Sequence, residues 1–297
     1  MKRLIKSLLL VSLSALICVL LLLAFLVFNN NCCQKTIDVE ALQHSHNASV
    51  QWLIQNEEKL ITEHNPILWE MIAKTAELTH NSTLQNLFSR YQRQFFSFYR
   101  THPFGFLLNG YNKANFLTTD LSVFPYYNLF FIYGFTCDKA LADFDIVQAQ
   151  RDINFCSKHF SIAPACKTHQ IMGFMYLKNT TCENPQWVAD NLEILANDIK
   201  GQLFYDFRLV DVYLQRVMIL YENDNSNLVN PQWLVNIIAA QNIDGGWDDF
   251  QPIVALSNKK YLGVGAKSIY IKTIRSTFHA TVQGAYLTAL ALKDLDL

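Results

Sequence analysis

The chain has 297 residues, a formal net charge of −1 at pH 7 and 51% hydrophobic residues. That balance leaves no basic footprint for nucleic acid. Setting aside an N-terminal anchor leaves about 250 residues, enough for one large domain with a substantial core or for two small ones.

Leu8 to Phe28 runs 21 residues without a charge. At roughly 1.5 Å per residue a helix of that length reaches the ~30 Å of a bilayer core. Lys2, Arg3 and Lys6 precede it, and Lys35 alone follows nearby. The positive-inside bias therefore predicts a cytoplasmic N-terminus with everything after Phe28 outside, in a periplasm, lumen or exterior. Asn29-Asn30-Asn31 offers no small-residue cleavage site, which favours an uncleaved signal anchor over a removed signal peptide. The same asparagines argue against a lipoprotein reading of Cys32-Cys33. We expect residues 1–28 as stub and transmembrane anchor, 29–45 as a polar tether, and 46–297 as one domain, since no Gly/Ser-rich or Pro-rich stretch divides it.

Apolar periodicity predicts helices over 50–63, 66–79, 83–99, 138–157, 166–178, 185–199, 204–221, 231–241 and 279–293, with no strand series in competition. Asn184-Pro185-Gln186-Trp187 recurs 46 residues later as Asn230-Pro231-Gln232-Trp233, with a looser copy at Asn65-Pro66-Ile67-Leu68-Trp69. Each has the form of a helix start, in which Asn caps free amides, Pro takes the first helical position and Trp reaches the core. A period near 46 fits two-helix units in a stacked or closed array. Phe88 to Phe135 holds 17 aromatic residues in 48, Tyr126 and Tyr127 among them. That density suits core packing, an apolar ligand cavity or a face near the membrane.

Four cysteines lie in the expected domain. If 138–157 and 166–178 form an antiparallel hairpin, Cys156 and Cys166 flank its turn and Cys137 and Cys182 meet at its open end. This predicts disulfides 156–166 and 137–182, with a zinc site including His159 and His169 as the rival. Asn47, Asn81 and Asn179 begin glycosylation-type triplets, which matter only in a host that glycosylates secreted proteins.

Gln241-Asn242-Ile243-Asp244-Gly245-Gly246-Trp247 is followed by a segment from Phe278-His279 to Leu290 that is apolar on almost every face, as in a helix buried on all sides. Gly245 and Gly246 suit a sharp helix-to-helix turn, and Trp247 suits a large apolar cover over it. This pairing resembles one repeat of the terpenoid cyclase and protein prenyltransferase α/α-toroid superfamily, in which a Gln…Gly-Gly-Trp turn links an outer helix to an inner one. The resemblance implies an α/α toroid of about five helical hairpins, incomplete beside the usual six, which with the N-terminal transmembrane helix makes the expected fold all-α. The family's functional residues do not carry over. His279 matches its zinc histidine, but no cysteine follows Cys182, and Asp244-Gly245-Gly246-Trp247-Asp248-Asp249 has the wrong spacing for a cyclase acid.

His169 and His279 begin two similar helical segments, each with a tyrosine seven residues on, Tyr176 and Tyr286. In a toroid the inner helices run parallel, so both histidines would converge on one mouth with Asp206, Arg208 and Asp211. A histidine there serves as a general base or metal ligand; taken singly, each residue is better explained as a structural hydrogen-bonding group or, for Arg208 and Asp211, as an i,i+3 ion pair, and only the cluster as a whole weighs evenly between the two. No cofactor or metal is implied. The reading is a membrane-anchored extracytoplasmic α/α-toroid protein of unassigned activity, ahead of three functional classes: a carbohydrate-processing cleft using Asp206, Asp211, Asp244, Asp248, Tyr213 and Trp247, an apolar or isoprenoid ligand site, or a membrane-tethered interaction module.

Overall fold

The computed structural model describes residues 2–34, 36–99, 102–109, 124–125, 128–157 and 164–296. Fourteen α-helices make up most of what is described. The first, α1 (Lys2–Asn31), contains the apolar stretch Leu10–Asn31, long enough to cross a membrane. Next come α2 (Val39–Gln55), α3 (Glu57–Leu60), α4 (Pro66–Leu78), α5 (Ser82–Tyr99), α6 (Gly105–Asn109) and α7 (Asn128–Thr136). They are followed by α8 (Lys139–Ala142), α9 (Asp145–Arg151), α10 (Cys166–Lys178), α11 (Pro185–Tyr205), α12 (Asp211–Glu222) and α13 (Pro231–Ala239). Three strands, β1 (Phe250–Ala255), β2 (Lys260–Gly265) and β3 (Ile269–Thr273), precede the last helix, α14 (Phe278–Asp294).

All three Asn-Pro sequences start helices. The side chains of Asn65, Asn184 and Asn230 accept from Leu68 N, from Gln186 N and Trp187 N, and from Gln232 N, with proline in each first turn. Trp69 and Trp233 are buried, while Trp187 is partly covered and packs on Phe174.

Each of α4, α14, α12, α10, α7 and α6 packs on the next, and α6 returns to α4, so six helices form a closed circuit of contacts. α2 flanks α14, α5 flanks α4, α11 flanks α10 and α12, and α13 touches α12. α12 and α14 run parallel, because Asp211 at the start of one meets His279 at the start of the other, and Glu222 at the end of α12 meets Tyr286 further along α14.

Four expectations are corrected. The chain is not all-α: 250–273 forms an antiparallel sheet in the order β1-β2-β3. Pro252, Gly263 and Gly265 interrupt the strand pattern, and the apolar alternation points away from the body, so it does not read as a half-buried strand. The span 138–157 is broken into α8 and α9, with Asp138 capping α8 through Ala140 N and Leu141 N. Its place against α10 is taken by α7, uniformly apolar and hidden in the aromatic stretch. The stretch 29–45 is not loose, since α2 begins at Val39 under an Asp38 cap and Asn30 is buried against the body.

The cysteine pairs are Cys137–Cys182, with Cα atoms 5.2 Å apart, and Cys156–Cys166, at 5.7 Å. Cys137 caps the end of α7 rather than the start of a long helix, so the 137–182 pair holds α7 to the end of α10. These pairs take the thiolates that the zinc reading needs; His159 lies outside the described residues. Cys32 and Cys33 also pair.

The Gly-Gly-Trp segment is a turn built from its own side chains. Gln241 Nε2 donates to Gly245 O at 2.7 Å and to Ser45 O at 2.9 Å, and Asn242 N donates to Gly246 O at 2.8 Å. Gly245 has φ +90°, and a Cβ there would lie 2.4 Å from Ala48 O, so both conformation and space require glycine. Trp247 is buried, donates from Nε1 to Ile237 O at 2.8 Å, and lies on Gly284, where a Cβ would come within 2.4 Å of its ring.

Candidate functional site

Two polar constellations lie on the six-helix circuit. The first is at the starts of α10, α12 and α14. His279 Nδ1 lies 3.0 Å from Asp211 Oδ2, and Gln283 Nε2 lies 3.4 Å from His279 Nε2. His279 is nearly half exposed and Asp211 about one-fifth. His169 stacks on Phe131, ring centroids 5.2 Å apart, and its Nδ1 is 2.6 Å from Ala165 O. Burial lowers the His169 pKa below the usual imidazole value; the Ala165 carbonyl opposes this, and the neighbouring His279 adds to it. The direct contact in this group is the one between His279 and Asp211.

Asp206 and Arg208 go elsewhere. Asp206 is buried and accepts from Arg208 Nε at 2.7 Å and from Arg216 Nη1 at 2.6 Å. Burial alone would raise its pKa, but the Arg208 hydrogen bond and the Arg216 and Arg208 charges outweigh it and hold the carboxyl below the ordinary range. Arg208 Nη1 also donates to Ala266 O at 2.6 Å. This is a structural lock at the α11–α12 junction rather than part of an open mouth. Asp244, Asp248, Tyr213 and Trp247 are likewise committed. Asp244 accepts from Trp52 Nε1, Gly246 N and Ser276 Oγ; Asp248 accepts from Lys272 and Arg275 N; Tyr213 OH donates to Asn30; Trp247 is covered. Trp247 and Asp248 nevertheless border a cavity of about 380 Å³ together with Gln241, Asn242 and Gln251.

The second constellation lies inside the circuit, and sequence reasoning did not find it. Lys74 Nζ sits 3.0 Å from Glu70 Oε1 and 2.8 Å from Glu222 Oε1. Tyr176 OH donates to Glu70 Oε2 at 2.7 Å, and Tyr286 OH donates to Glu222 Oε1 at 3.0 Å. The two tyrosines that follow the two histidines thus take equivalent roles on separate carboxylates, with Lys74 lying about equally far from both rings. Burial raises the Glu70 carboxyl above its ordinary value even though Lys74 and Tyr176 pull it down. For Lys74 burial works the other way, yet Glu222 and Glu70 keep its ammonium above the usual value. Beside this network is a cavity of about 320 Å³, walled by Met71, Phe106, Phe135, Met172 and Met175. Phe106 and Phe135 come from the aromatic stretch, whose Phe130 and Phe131 are core residues; Tyr126 and Tyr127 lie outside the described residues. The one sequence signal was an i,i+4 Glu70/Lys74 pair set in a largely apolar helix.

Comparison of the chain with protein-family models, curated proteins and solved structures found no match.

Proposed function

We propose that the protein is a membrane-anchored, extracytoplasmic α/α toroid that binds a hydroxyl-rich, carbohydrate-like molecule at the end of the helix circuit where Asp211, His169 and His279 meet, with His279 as general base. The closed contact circuit of α4, α14, α12, α10, α7 and α6 supports the toroid reading, and α6 and α7 supply inner positions that the expectation of five hairpins left unfilled. The observation that carries the chemistry is the 3.0 Å contact between Asp211 and His279. A carboxylate that accepts from Nδ1–H fixes the imidazole tautomer and leaves Nε2 to take a proton from a hydroxyl. The Gln283 amide at 3.4 Å is a weak contact that a substrate hydroxyl can replace.

His279→Ala should abolish binding or turnover in a screen of neutral and acidic polysaccharides while changing stability by less than about 0.5 kcal/mol, because a half-exposed side chain has few packing partners. A variant that destabilises as strongly as a core truncation would make His279 structural and end this reading.

The cavity favours a second reading, an apolar or isoprenoid ligand whose polar end meets the Glu70–Lys74–Glu222 network. Under it, wild-type protein should retain a fluorescent prenyl probe that Met175→Trp, by filling the cavity, excludes, and His279→Ala should leave retention untouched. Equal retention by wild type and Met175→Trp would remove it.

A further inference from the structure

The sheet presents an apolar, cationic face next to the point where the membrane helix leaves the body. By the pairing register Val254, Leu262 and Ile271 stand side by side across the three strands, and Ile269, two residues from Ile271, shares their face. All four are exposed, Ile269 by 70% and Ile271 by 57%. The opposite face carries Phe250, packed on Tyr270 within the sheet, and Lys272, which ties that face to the body through Asp248. Residues 250–275 carry five cations (Lys259, Lys260, Lys267, Lys272 and Arg275) and no acid, in a chain whose net charge is −1. Lys259 and Lys260 sit at the exposed β1–β2 turn and Lys267 at the exposed β2–β3 turn.

The junction with α1 places this face. Asn30 Nδ2 donates to Leu203 O at 2.8 Å and to Asp206 O at 3.3 Å, and Tyr213 OH donates to Asn30 Oδ1 at 2.8 Å. Asn31 and Gln34, later in the chain, meet Trp233, Asn230 and Gln232 in the first turn of α13 or at its cap. Asn31 Nδ2 also donates to Phe204 O at 2.8 Å, so the end of α1 is held at the end of α11. The end of α1 thus lies beside the α11–α12 junction, where Arg208 holds the β2–β3 turn through Ala266 O and Phe204 and Tyr205 at the end of α11 are about half exposed.

We infer that the outer face of the sheet seats on an anionic membrane surface beside α1, with Val254, Leu262, Ile269 and Ile271 in the interfacial layer and the flanking lysines at the headgroups. Apolar area together with cations is the chemistry that binds such an interface, and exposed aromatics next to a membrane helix suit the same depth. The mouth bearing Asp211 and His279 then opens on the membrane side. The inference rests on α1 being a membrane anchor.

The test uses the full chain with Cys18→Ser, reconstituted one copy per nanodisc containing anionic lipid, and labelled with an environment-sensitive dye at Ile269→Cys or, as control, at the exposed Asn227→Cys just past the end of α12. Nitroxide lipids labelled near the headgroup should quench the dye at 269 and not at 227, and adding Leu262→Asp with Ile271→Asp should abolish the quenching. An unquenched, iodide-accessible dye at 269 in a disc that holds the chain overturns the seat and leaves the anchor standing. A dye at 269 that becomes shielded only with two copies per disc also overturns it, in favour of a sheet-to-sheet dimer. Failure of the chain to enter discs at all overturns both readings.

Discussion

Trp247→Ala is expected to cost about 3–5 kcal/mol and to lower the melting temperature accordingly, the effect of emptying a large buried aromatic site. Trp247 is 1% exposed, its indole N–H is used on Ile237 O, and its ring covers Gly284 on the helix that carries His279. Its backbone also ties the turn to α14, since Trp247 N donates to Thr281 Oγ1 at 3.1 Å and Thr277 N donates to Trp247 O at 2.8 Å. The backbone bonds survive the truncation and Ile237 O keeps Ala240 N as a donor at 3.1 Å, so the loss should come from packing. Thermal unfolding of wild type, Trp247→Ala and His279→Ala side by side separates a scaffold residue from a site residue. A melting temperature for Trp247→Ala within a degree or two of wild type would mean that this turn does not hold the layers together.

Asp206→Ala should be as damaging, by about 3–5 kcal/mol, because it leaves the buried Arg216 guanidinium without its counter-charge. Arg216 is 2% exposed, and its other amino group donates to Pro164 O, a neutral carbonyl. The pH dependence follows from the lowered Asp206 pKa. A carboxyl more acidic in the folded than in the unfolded state contributes stability that is fully present above the unfolded value, about 3.9, and is lost as pH falls through the lower folded value. The stability gap between wild type and Asp206→Ala should therefore hold steady from neutral pH to about pH 4 and narrow below it. Denaturant titrations at pH 7, 5 and 3 measure this; a gap that widens on acidification would show that Asp206 is not the charged centre of the lock.

Much of the secondary structure was readable because its causes are local. The asparagine caps before Pro66, Pro185 and Pro231 satisfy free amides within three residues of themselves, and α10 occupies the predicted span 166–178 at both ends. The disulfide pairs were found from spacing even though the helix assigned to carry Cys137 was the wrong one. What failed was whatever depended on a distant partner. α7 has no polar face to reveal a period, since it is buried among α10, α9 and α6. The sheet turns its apolar residues outward, the reverse of the usual pattern, and only its anchorage to Asp248 and Arg208 shows which face is inner.

The site divided in the same way. His169 and His279 were recognisable as equivalent starts of similar helices, and the parallel packing of α12 on α14 brings His279 to Asp211. Asp206 and Arg208 are nearer in sequence to Asp211 than either histidine is, yet burial beside Arg216 removes them from the mouth. Glu70, Lys74, Tyr176, Glu222 and Tyr286 span more than two hundred residues of chain, and no spacing rule connects them.

The sequence by itself determined the apolar N-terminal helix, the helix starts, the cysteine pairs and the turn around Trp247, because length, capping and backbone freedom act over a few residues. The tertiary structure alone decided which polar groups are locked and which are open, since a charge's role depends on the partners and the burial that folding brings to it from elsewhere in the chain.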